Sequence, residues 1–361
     1  MSAPATISVA HGAADLQVVT VDAYNAELRD GEGFVGDRAS NRAFRAILDE
    51  SRERVRDVAR EDPLGETPTE ELPKKKMDKL LAEGEPEAAG VIHGAIEEFA
   101  SELSTVITRF LRLKAWKDTE RIVVGGGLRS SRVGEVTIGR ASVLLKEAGH
   151  KIDLVPVQNH PDEAGLLGAI HLAPAGMLDG HDAILAVDIG GSNLRAGLVA
   201  LRPWKTVKKS GEIAVGTVDE LELWRYADEK SRPTRDQAVE RIGAMLERLI
   251  RHAAKQQAKL APFIGVGCPG IIAADGHIER GGQNLPGNWE SSRFDLPVRL
   301  QELTPKIDGQ RAVVVMHNDA VVHGLSDLAQ VQDIDHWGVL TIGTGLGNAR
   351  FTNRRLAKAR E

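Results

Sequence analysis

The sequence lacks several features on which whole classes of protein depend. Its 361 residues contain a single cysteine, Cys268, which excludes an internal disulfide and a zinc site built from several thiolates. No apolar run approaches the roughly 18 residues of a membrane-spanning helix. Residues 1–17 lack the basic and apolar regions of a secretion signal. We therefore expect a soluble, cytoplasmic protein whose fold depends on packing.

Positive charge is also scarce relative to negative charge. The formal net charge is −6, so nucleic acid is not expected as a partner, and the basic ending "RRLAKARE" is short enough to be a solvated chain end. The apolar fraction of 42% is typical of a globular protein. A chain of this length is expected to form two domains.

The apolar pattern predicts an α/β protein. From Pro86 onward, apolar residues recur at steps of three to four, which predicts a helix packed on one face. Strand-like and helix-like segments then alternate, which favours a parallel sheet with helices on it. The stretch "APAGMLDGHD" is turn-rich and places a domain boundary near residue 180. Beyond it we predict a hairpin, a third strand at "GEIAV", and further strands and helices. The charged stretch "EDPLGETPTEELPKKKMDK" is interpreted as a surface connection.

Two glycine-rich hairpin turns are candidate phosphate-binding sites. One contains Gly190 and Gly191 and the other runs from Gly343 to Gly347. Glycine allows a phosphate to approach backbone N–H groups closely, and each turn carries a hydroxyl residue, Ser192 or Thr344. Each turn taken alone is equally compatible with an ordinary tight β-turn.

A third glycine cluster, Gly125 to Gly127, follows a strand and precedes a helix, where ligands bind in open α/β sheets. A dinucleotide fingerprint is excluded here because Ser130 replaces its third glycine. The other literal match, "GVGCPG", contains Pro269 and leads into a strand-like segment, so it fails the same test.

Asp319 follows Asn318 at the end of an apolar strand. A carboxylate in this position is suited to accept a proton from a substrate hydroxyl, although its spacing alone favours a cap of the helix that follows. Asp188 similarly is either a solvated strand end or a residue that holds Mg²⁺ through water.

The histidines and the single cysteine are not expected to form a metal site. None of the histidines considered shows ligand spacing with a second histidine and a carboxylate; they are His11, His160, His277, His317 and His323. Cys268 is expected to be a small packed residue.

Six motifs together resemble the ROK (repressor, open reading frame, kinase) family of sugar kinases, within the actin-like ATPase superfamily. The combination is specific although each motif alone is common; the motifs are "DIGGSNLRAGLV", "GVGCPGII", "NLPGNW", "HNDA", "GTGLG" and "IVVGGGL". The resemblance implies a two-lobed, actin-like (ribonuclease H-like) α/β fold with a nucleotide cleft between the lobes.

The order of these motifs is rotated relative to the family, as in a circular permutation. Residues 1–178 together with 336–361 resemble the family's C-terminal lobe, and residues 179–335 resemble its N-terminal lobe. "APAGMLDGHD" would then join the ancestral chain ends, which commonly lie close together at a protein surface.

The resemblance implies an ATP-dependent, glucokinase-like kinase acting on a hexose or N-acylhexosamine hydroxyl, with ATP and Mg²⁺ as cofactors and a homodimer as one arrangement. Asp319 would be the general base. The implied sugar-binding residues are Asn318, Asn284, Pro269 and Gly270. The implied nucleotide-binding residues are Asp188, Gly190, Gly191, Ser192, Gly343, Thr344, Gly345, Gly126 and Gly127, with Asp188 holding Mg²⁺ through water.

Two departures from the family pattern leave alternatives open. The E-x-G-H segment and the cysteine-rich zinc loop are missing, with His11 a weak substitute for the lost histidine, and the family's "END" is "HND" here, which places His317 near the base. The alternatives are a non-catalytic sugar or nucleotide sensor, a degenerate kinase, and a phosphotransferase acting on a carboxylate.

Overall fold

A computed structural model describes residues 10–31, 33–201 and 216–354. Contacts divide the chain into two compact units. The first unit contains the described residues up to Asn25, then Asp162–Asp335 and the residues from Phe351; the second contains Ala26–Pro161 and His336–Arg350. Contacts therefore divide the middle of the chain after Pro161, whereas the sequence places the boundary near residue 180.

Strands occur in both units and confirm the α/β class. They are β1 (Val19–Tyr24), β2 (Arg29–Asp30), β3 (Gly33–Phe34), β4 (Arg121–Gly125), β5 (Asp153–Pro156), β6 (Ala183–Ile189), β7 (Leu194–Leu201), β8 (Gly216–Trp224), β9 (Leu260–Cys268), β10 (Ile271–Ile272), β11 (Ile278–Arg280), β12 (Lys306–Ile307), β13 (Gln310–Arg311), β14 (Val313–Asn318), β15 (His336–Ile342) and β16 (Leu346–Asn353). The predicted strand "GEIAV" lies outside the described residues.

The α-helices are α1 (Asn41–Ala59), α2 (Lys74–Glu83), α3 (Pro86–Leu111), α4 (Arg132–Glu147), α5 (Ala164–Gly168), α6 (Arg235–Lys255), α7 (Leu296–Leu303) and α8 (Asp319–Leu325). Within the described ranges, none of the helices has both the length and the apolar character required to cross a membrane.

The first unit contains a mixed five-stranded sheet with the order β14-β9-β6-β7-β8. Strands β6, β9 and β14 are parallel, and β7 is antiparallel to both β6 and β8. Strands β6 and β9 are buried along their whole length, so their near-continuous apolar sequences fit a sheet that is covered on both faces. Parallel pairing brings the carboxyl ends of β6, β9 and β14 to one edge of this sheet.

The second five-stranded sheet has the order β1-β16-β15-β4-β5, with β15, β4 and β5 parallel. In the register of β15 and β4, Thr341 lies opposite Gly125. The residues that follow these two positions therefore leave the sheet at the same edge. This register explains why glycine clusters far apart in the sequence belong to one part of the second unit.

Helix α3 is the centre of the core of the second unit. It begins at Pro86, as the sequence predicts, because the first turn of a helix does not need the N–H that proline lacks. The residues of the predicted apolar face are all buried; they are Ile92, Ile96, Phe99, Leu103, Val106, Ile107 and Phe110. Helix α1 begins after Ser40, whose hydroxyl accepts a hydrogen bond from the Ala43 N–H.

The charged stretch interpreted as a surface connection contains a helix, which corrects the sequence prediction. Helix α2 begins at Lys74 directly after Pro73, and Met77 is its buried residue. The segment before it is organised by Arg52, whose guanidinium is buried and pairs with Asp62 at 2.8 Å. A helix with so few apolar residues has no clear periodicity, and therefore the pattern does not reveal it.

Substitution of Gly338 tests how closely the core of the second unit is packed. An added Cβ would lie 2.6 Å from Cζ3 of the fully buried Trp116, so we expect Gly338→Ala to lower the free energy of unfolding by about 1–3 kcal/mol. Gly139→Ala is the matched control, because this exposed position in α4 has open space and alanine favours a helix by up to about 1 kcal/mol. Urea titration measures both changes. Equal unfolding midpoints would show that Trp116 can move aside.

Candidate active site

The candidate active site of the first unit lies where β6, β9 and β14 end. In the strand register, Asp188 of β6 pairs with Gly267 of β9, and Asn318 of β14 pairs with Cys268. Since the strands are parallel, these positions meet at the carboxyl edge of the sheet, where α/β proteins bind ligands. The structure thus brings together Asp188 and the "HNDA" motif, which are far apart in the sequence.

Asp188 is buried, with 2% of its surface exposed, and each of its carboxylate oxygens has a cationic neighbour. Arg195 Nη1 donates to Oδ2 at 3.1 Å, and His323 Nε2 donates to Oδ1 at 3.3 Å. Arg195 also donates through Nε and Nη2 to Asp162 Oδ1, at 2.9 and 2.7 Å. Burial alone would raise the pKa of Asp188, but His323 and Arg195 hold the pKa below its ordinary value, so this carboxylate is ionised.

Helix α5 leaves room for this charge cluster because it carries glycine at position 165. A Cβ on Gly165 would lie 2.6 Å from Asp188 Cγ and 2.8 Å from His323 Nε2. Helix α5 therefore packs directly over Asp188 and His323, and a side chain at position 165 would displace one of them.

The sequence left two roles open for Asp319, and the structure assigns the capping role to its neighbour. Asn318 is the N-cap of α8, because its Oδ1 accepts hydrogen bonds from the N–H groups of Ala320 and Val321. Its Nδ2 donates to Gly270 O at 2.9 Å. Asp319 is instead the first residue of the helix, and its Oδ1 accepts from the Ala320 N–H.

Asp319 differs from Asp188 in its electrostatic environment. The residue is half-buried, and the surrounding protein raises the pKa of its carboxyl group to about 6 by desolvation, with Asp188 acting in the same direction and His323 against it. Asp319 is therefore the more basic of the two carboxylates, Asp188 and Asp319.

Cys268 is fully buried, and burial raises the pKa of its thiol well above the ordinary value.

The residues assigned to sugar binding by resemblance lie around the same sheet edge. Gly191, in the first hairpin turn, packs closely against Asn284, since an added Cβ would lie 3.1 Å from the Asn284 Cβ and Asn284 would have to move slightly. Gly270 has a φ of +102° and its carbonyl accepts the bond from Asn318. Positive φ is adopted readily by glycine alone, which explains the glycine after Pro269.

The first hairpin turn is closed by its own backbone. Gly190 N–H donates to Asn193 O at 2.9 Å, and the Tyr226 hydroxyl donates to Gly190 O. Ser192 O accepts from the Ala227 N–H at 3.2 Å. The turn is thus held from one side by the residues after β8, and the N–H of Gly190 is already used within the protein. Phosphate binding at Gly191 and Ser192 stays a prediction.

The second hairpin turn and the third glycine cluster lie together in the second unit. Gly343 N–H donates to Gly345 O at 2.9 Å, so this turn closes in a similar manner. Gly126 has a φ of +85°, and an added Cβ there would lie 2.5 Å from Ile342 O. The requirement for glycine at position 126 is therefore explained by strand packing, and nucleotide binding at Gly126, Gly127, Gly343, Thr344 and Gly345 stays a prediction.

Three residues around these turns were missed by the sequence analysis. Asn41 N–H donates to Gly343 O at 3.0 Å, and Arg42 Nε donates to Thr344 O at 3.1 Å. Lys74 Nζ donates to Gly127 O and to Ser130 Oγ. Two of the three are cations, but their sequence context is a helix start and a charge run, and neither pattern indicates a site.

His11 and His317, the two histidines that the sequence places near the site, make hydrogen bonds to the backbone of the first unit. His11 Nδ1 accepts from the Met316 N–H at 3.1 Å, and burial lowers the pKa of His11. His317 Nδ1 accepts from the Asn318 N–H at 2.7 Å and its Nε2 donates to Ala13 O at 3.1 Å. Burial lowers the pKa of His317 to about 4, so its ring is neutral near pH 7. It orients β14 at the residue before Asn318.

Asp188 does not fit the magnesium role that the resemblance implies. Mg²⁺ requires an octahedral shell, usually with several waters. Both oxygens of Asp188 accept from cationic donors and only 3% of its side chain is exposed, so the carboxylate is already paired and offers little accessible surface to a hydrated dication. Across residues 10–31, 33–201 and 216–354, no group of three or more histidine, cysteine, aspartate or glutamate side chains could hold a metal ion.

Comparison with known proteins points to sugar kinases. No family model matches the chain. A glucokinase of Thermotoga maritima is 26% identical over 183 residues, which cover 49% of this chain and 47% of that protein. The chain thus spans about half the length of this curated relative. The expected resemblance to sugar kinases is confirmed over that half.

Solved structures give low overall similarity. The ROK family glucokinase of Streptomyces griseus, solved with glucose and AMPPNP, is 19% identical with a TM-score of 0.34 and covers 49% of this chain and 47% of that chain. The ROK hexokinase of Thermus thermophilus is 20% identical with a TM-score of 0.32 and covers 49% and 50%.

Gly165 tests the close packing over the charge cluster. We expect Gly165→Ala to lower the free energy of unfolding by about 1–3 kcal/mol, because the added methyl group would overlap Asp188 and His323. Gly94→Ala in α3, where nothing lies within 4 Å of an added Cβ, is the control and is expected to be at least as stable as the wild type. Denaturant unfolding measures both. A Gly165→Ala protein of unchanged stability would contradict the packing described.

Proposed function

We propose that this protein is an ATP-dependent kinase that phosphorylates a sugar hydroxyl, with Asp319 as the general base. The observation that carries the proposal is the pair of unlike carboxylates at one sheet edge. Asp188 is buried and paired with cations, whereas Asp319 is half-buried and has a raised pKa. Environments that push two pKa values apart are typical of acid–base sites.

The proposed reaction needs one proton transfer at Asp319. The substrate hydroxyl gives its proton to the Asp319 carboxylate while its oxygen forms a bond to the γ-phosphorus of ATP. The bond between that phosphorus and the bridging oxygen breaks, and ADP leaves with the electron pair. A positioned base contributes about 10²- to 10⁴-fold, and positioning of the phosphoryl group supplies the remainder.

The proposed substrate class rests on the similarity to the glucokinase and on the residues that the resemblance assigns to sugar binding. Asn284 lies against Gly191 of the first hairpin turn, and an amide side chain is suited to hydroxyl recognition. We propose a hexose or an N-acylhexosamine as substrate, with Mg²⁺ entering with the nucleotide. Asp188 does not hold that ion.

We also infer that the chain is circularly permuted relative to the ROK kinases. The motif order is rotated, and the sequence match to the glucokinase covers about half of each protein. A collinear alignment can follow only one of two exchanged segments, so a match of half the length is the expected result of a permutation.

Replacement of the base separates catalysis from stability. We expect Asp319→Asn to lower ADP formation at least about 10²-fold across a panel of hexoses, N-acylated amino sugars and polyols. Because the pKa of Asp319 is raised, its contribution to stability is present at low pH and is lost as pH rises through about 6. The variant should therefore be no less stable than the wild type at pH 8.

The control for this experiment is Asp236→Asn, which removes an exposed carboxylate in the first turn of α6. It should retain activity. Near wild-type ADP formation by Asp319→Asn with every active sugar would contradict the proposal. Binding of a sugar by calorimetry, without turnover by the wild type, would indicate the sensor instead.

The acid side of the pH profile provides a second test. Asp319 must be ionised to accept a proton, so kcat/KM for the sugar, which reports the pKa of the free enzyme, should fall about tenfold per pH unit below a pKa of about 6. Initial rates between pH 4.5 and 8.5, at sugar concentrations well below KM and at saturating ATP, measure this limb. A limb near pH 4 would indicate a base with an ordinary carboxyl pKa and would argue against Asp319 in its described surroundings.

A further inference from the structure

His323 is the unexpected member of the charge cluster at the sheet edge. It follows Asp319 by four residues on α8, so both side chains lie on the same face of the helix. Its Nε2 lies 3.3 Å from Asp188 Oδ1, and 15% of its side chain is exposed. The absence of a side chain at Gly165 creates the space that the ring occupies.

The charges around His323 explain why a cation is favoured there. The groups that face it are Asp188 on β6, Arg195 on β7 and Asp319 on its own helix. Asp162 lies beyond Arg195 and pairs with it. The Asp188 side chain is only 3% exposed, so its negative charge needs partners within the protein, and His323 lies beside it together with Arg195.

We propose that His323 is a positioning residue of the phosphoryl-transfer site: it fixes the carboxylate of Asp188 and places a positive charge beside the carboxylate of Asp319. This inference rests on the proposed kinase function. The resemblance implied that Asp188 holds Mg²⁺, a role that the geometry does not fit. In the present proposal the carboxylate of Asp188 is held by His323.

The ionisation of the cluster is consistent with this role. Burial alone would lower the pKa of His323, but Asp188 and Asp319 raise the pKa above the ordinary value of histidine. Burial raises the pKa of Asp319, and the imidazolium of His323 opposes that rise. Without the cation, Asp319 would hold its proton to higher pH and would be a less effective base near neutrality.

A glutamine at position 323 separates the hydrogen bond from the charge. Its amide nitrogen reaches about as far as His Nε2 and can donate to Asp188, but it is neutral at every pH. We expect His323→Gln to fold with a melting temperature near that of the wild type and to change KM for sugar less than about twofold. The acid limb of kcat/KM for the sugar should move up by about 0.5–1 pH unit, with kcat/KM near pH 6.5 reduced several-fold. His323→Ala removes both the bond and the charge and should also melt at lower temperature.

The matched control is His252→Gln on the surface of α6, where the ring faces Asp219 at 3.7 Å. This histidine is far along the chain from the proposed site and should leave the pH profile unchanged. A pH profile of His323→Gln identical to the wild type, in an active enzyme, would overturn the positioning role while the kinase proposal stands.

A second measurement does not depend on activity. Thermal unfolding of His323→Ala, Asp188→Asn and the double variant forms a cycle in which contacting residues are non-additive. We expect the double variant to lose less stability than the two single variants together. Additive losses would overturn the His323–Asp188 contact, and a wild type without turnover on any sugar would overturn the kinase proposal and the role of His323 within it, even if the cycle shows coupling.

Discussion

The burial of one carboxylate, that of Asp188, constrains much of the first unit. An ionised group in that position must be paired, and its partners come from three other places in the chain: Arg195 on β7, His323 on α8, and Asp162 through Arg195. These partners can converge only if α5 approaches without a side chain at position 165. The glycine, the arginine and the histidine are therefore consequences of one electrostatic requirement.

That requirement also shapes the chemistry at Asp319. The parallel register of β6, β9 and β14 brings a fully paired carboxylate and a half-buried one to the same edge. Because Asp188 remains ionised, its negative charge opposes ionisation of Asp319. The positive charge of His323 acts in the opposite direction and lowers the pKa of Asp319. These surroundings raise the pKa of the Asp319 carboxyl group to about 6, which is the property that the proposed role as a general base requires.

Asn318 and His317 serve the same edge in a different way. Asn318 caps α8 and holds the carbonyl of Gly270, so the amide fixes the loop after β9 as well as the start of the helix. His317 is buried and neutral, and it connects β14 to Ala13. The histidine of "HND" thus orients the strand end and does not add charge to the site.

The local sequence pattern was sufficient to predict those elements whose apolar face and end signals lie within one short segment. The apolar face of α3 and its proline start follow from the sequence because each involves residues within a few positions of one another. Helix α2 was missed for the converse reason, since it buries little of its own surface.

The sequence by itself determined the α/β class, the two glycine hairpins and Asp319 as a candidate base, because strand and helix periods and glycine turns are properties of short segments. Only the tertiary structure decided that Asn318 is the cap, that Asp188 is paired with protein cations, and that His323 is one of those cations. Asp188 and His323 are 135 residues apart, and a contact over such a distance depends on strand order and on the space left by Gly165. No local sequence pattern indicates the strand order or the space left by Gly165.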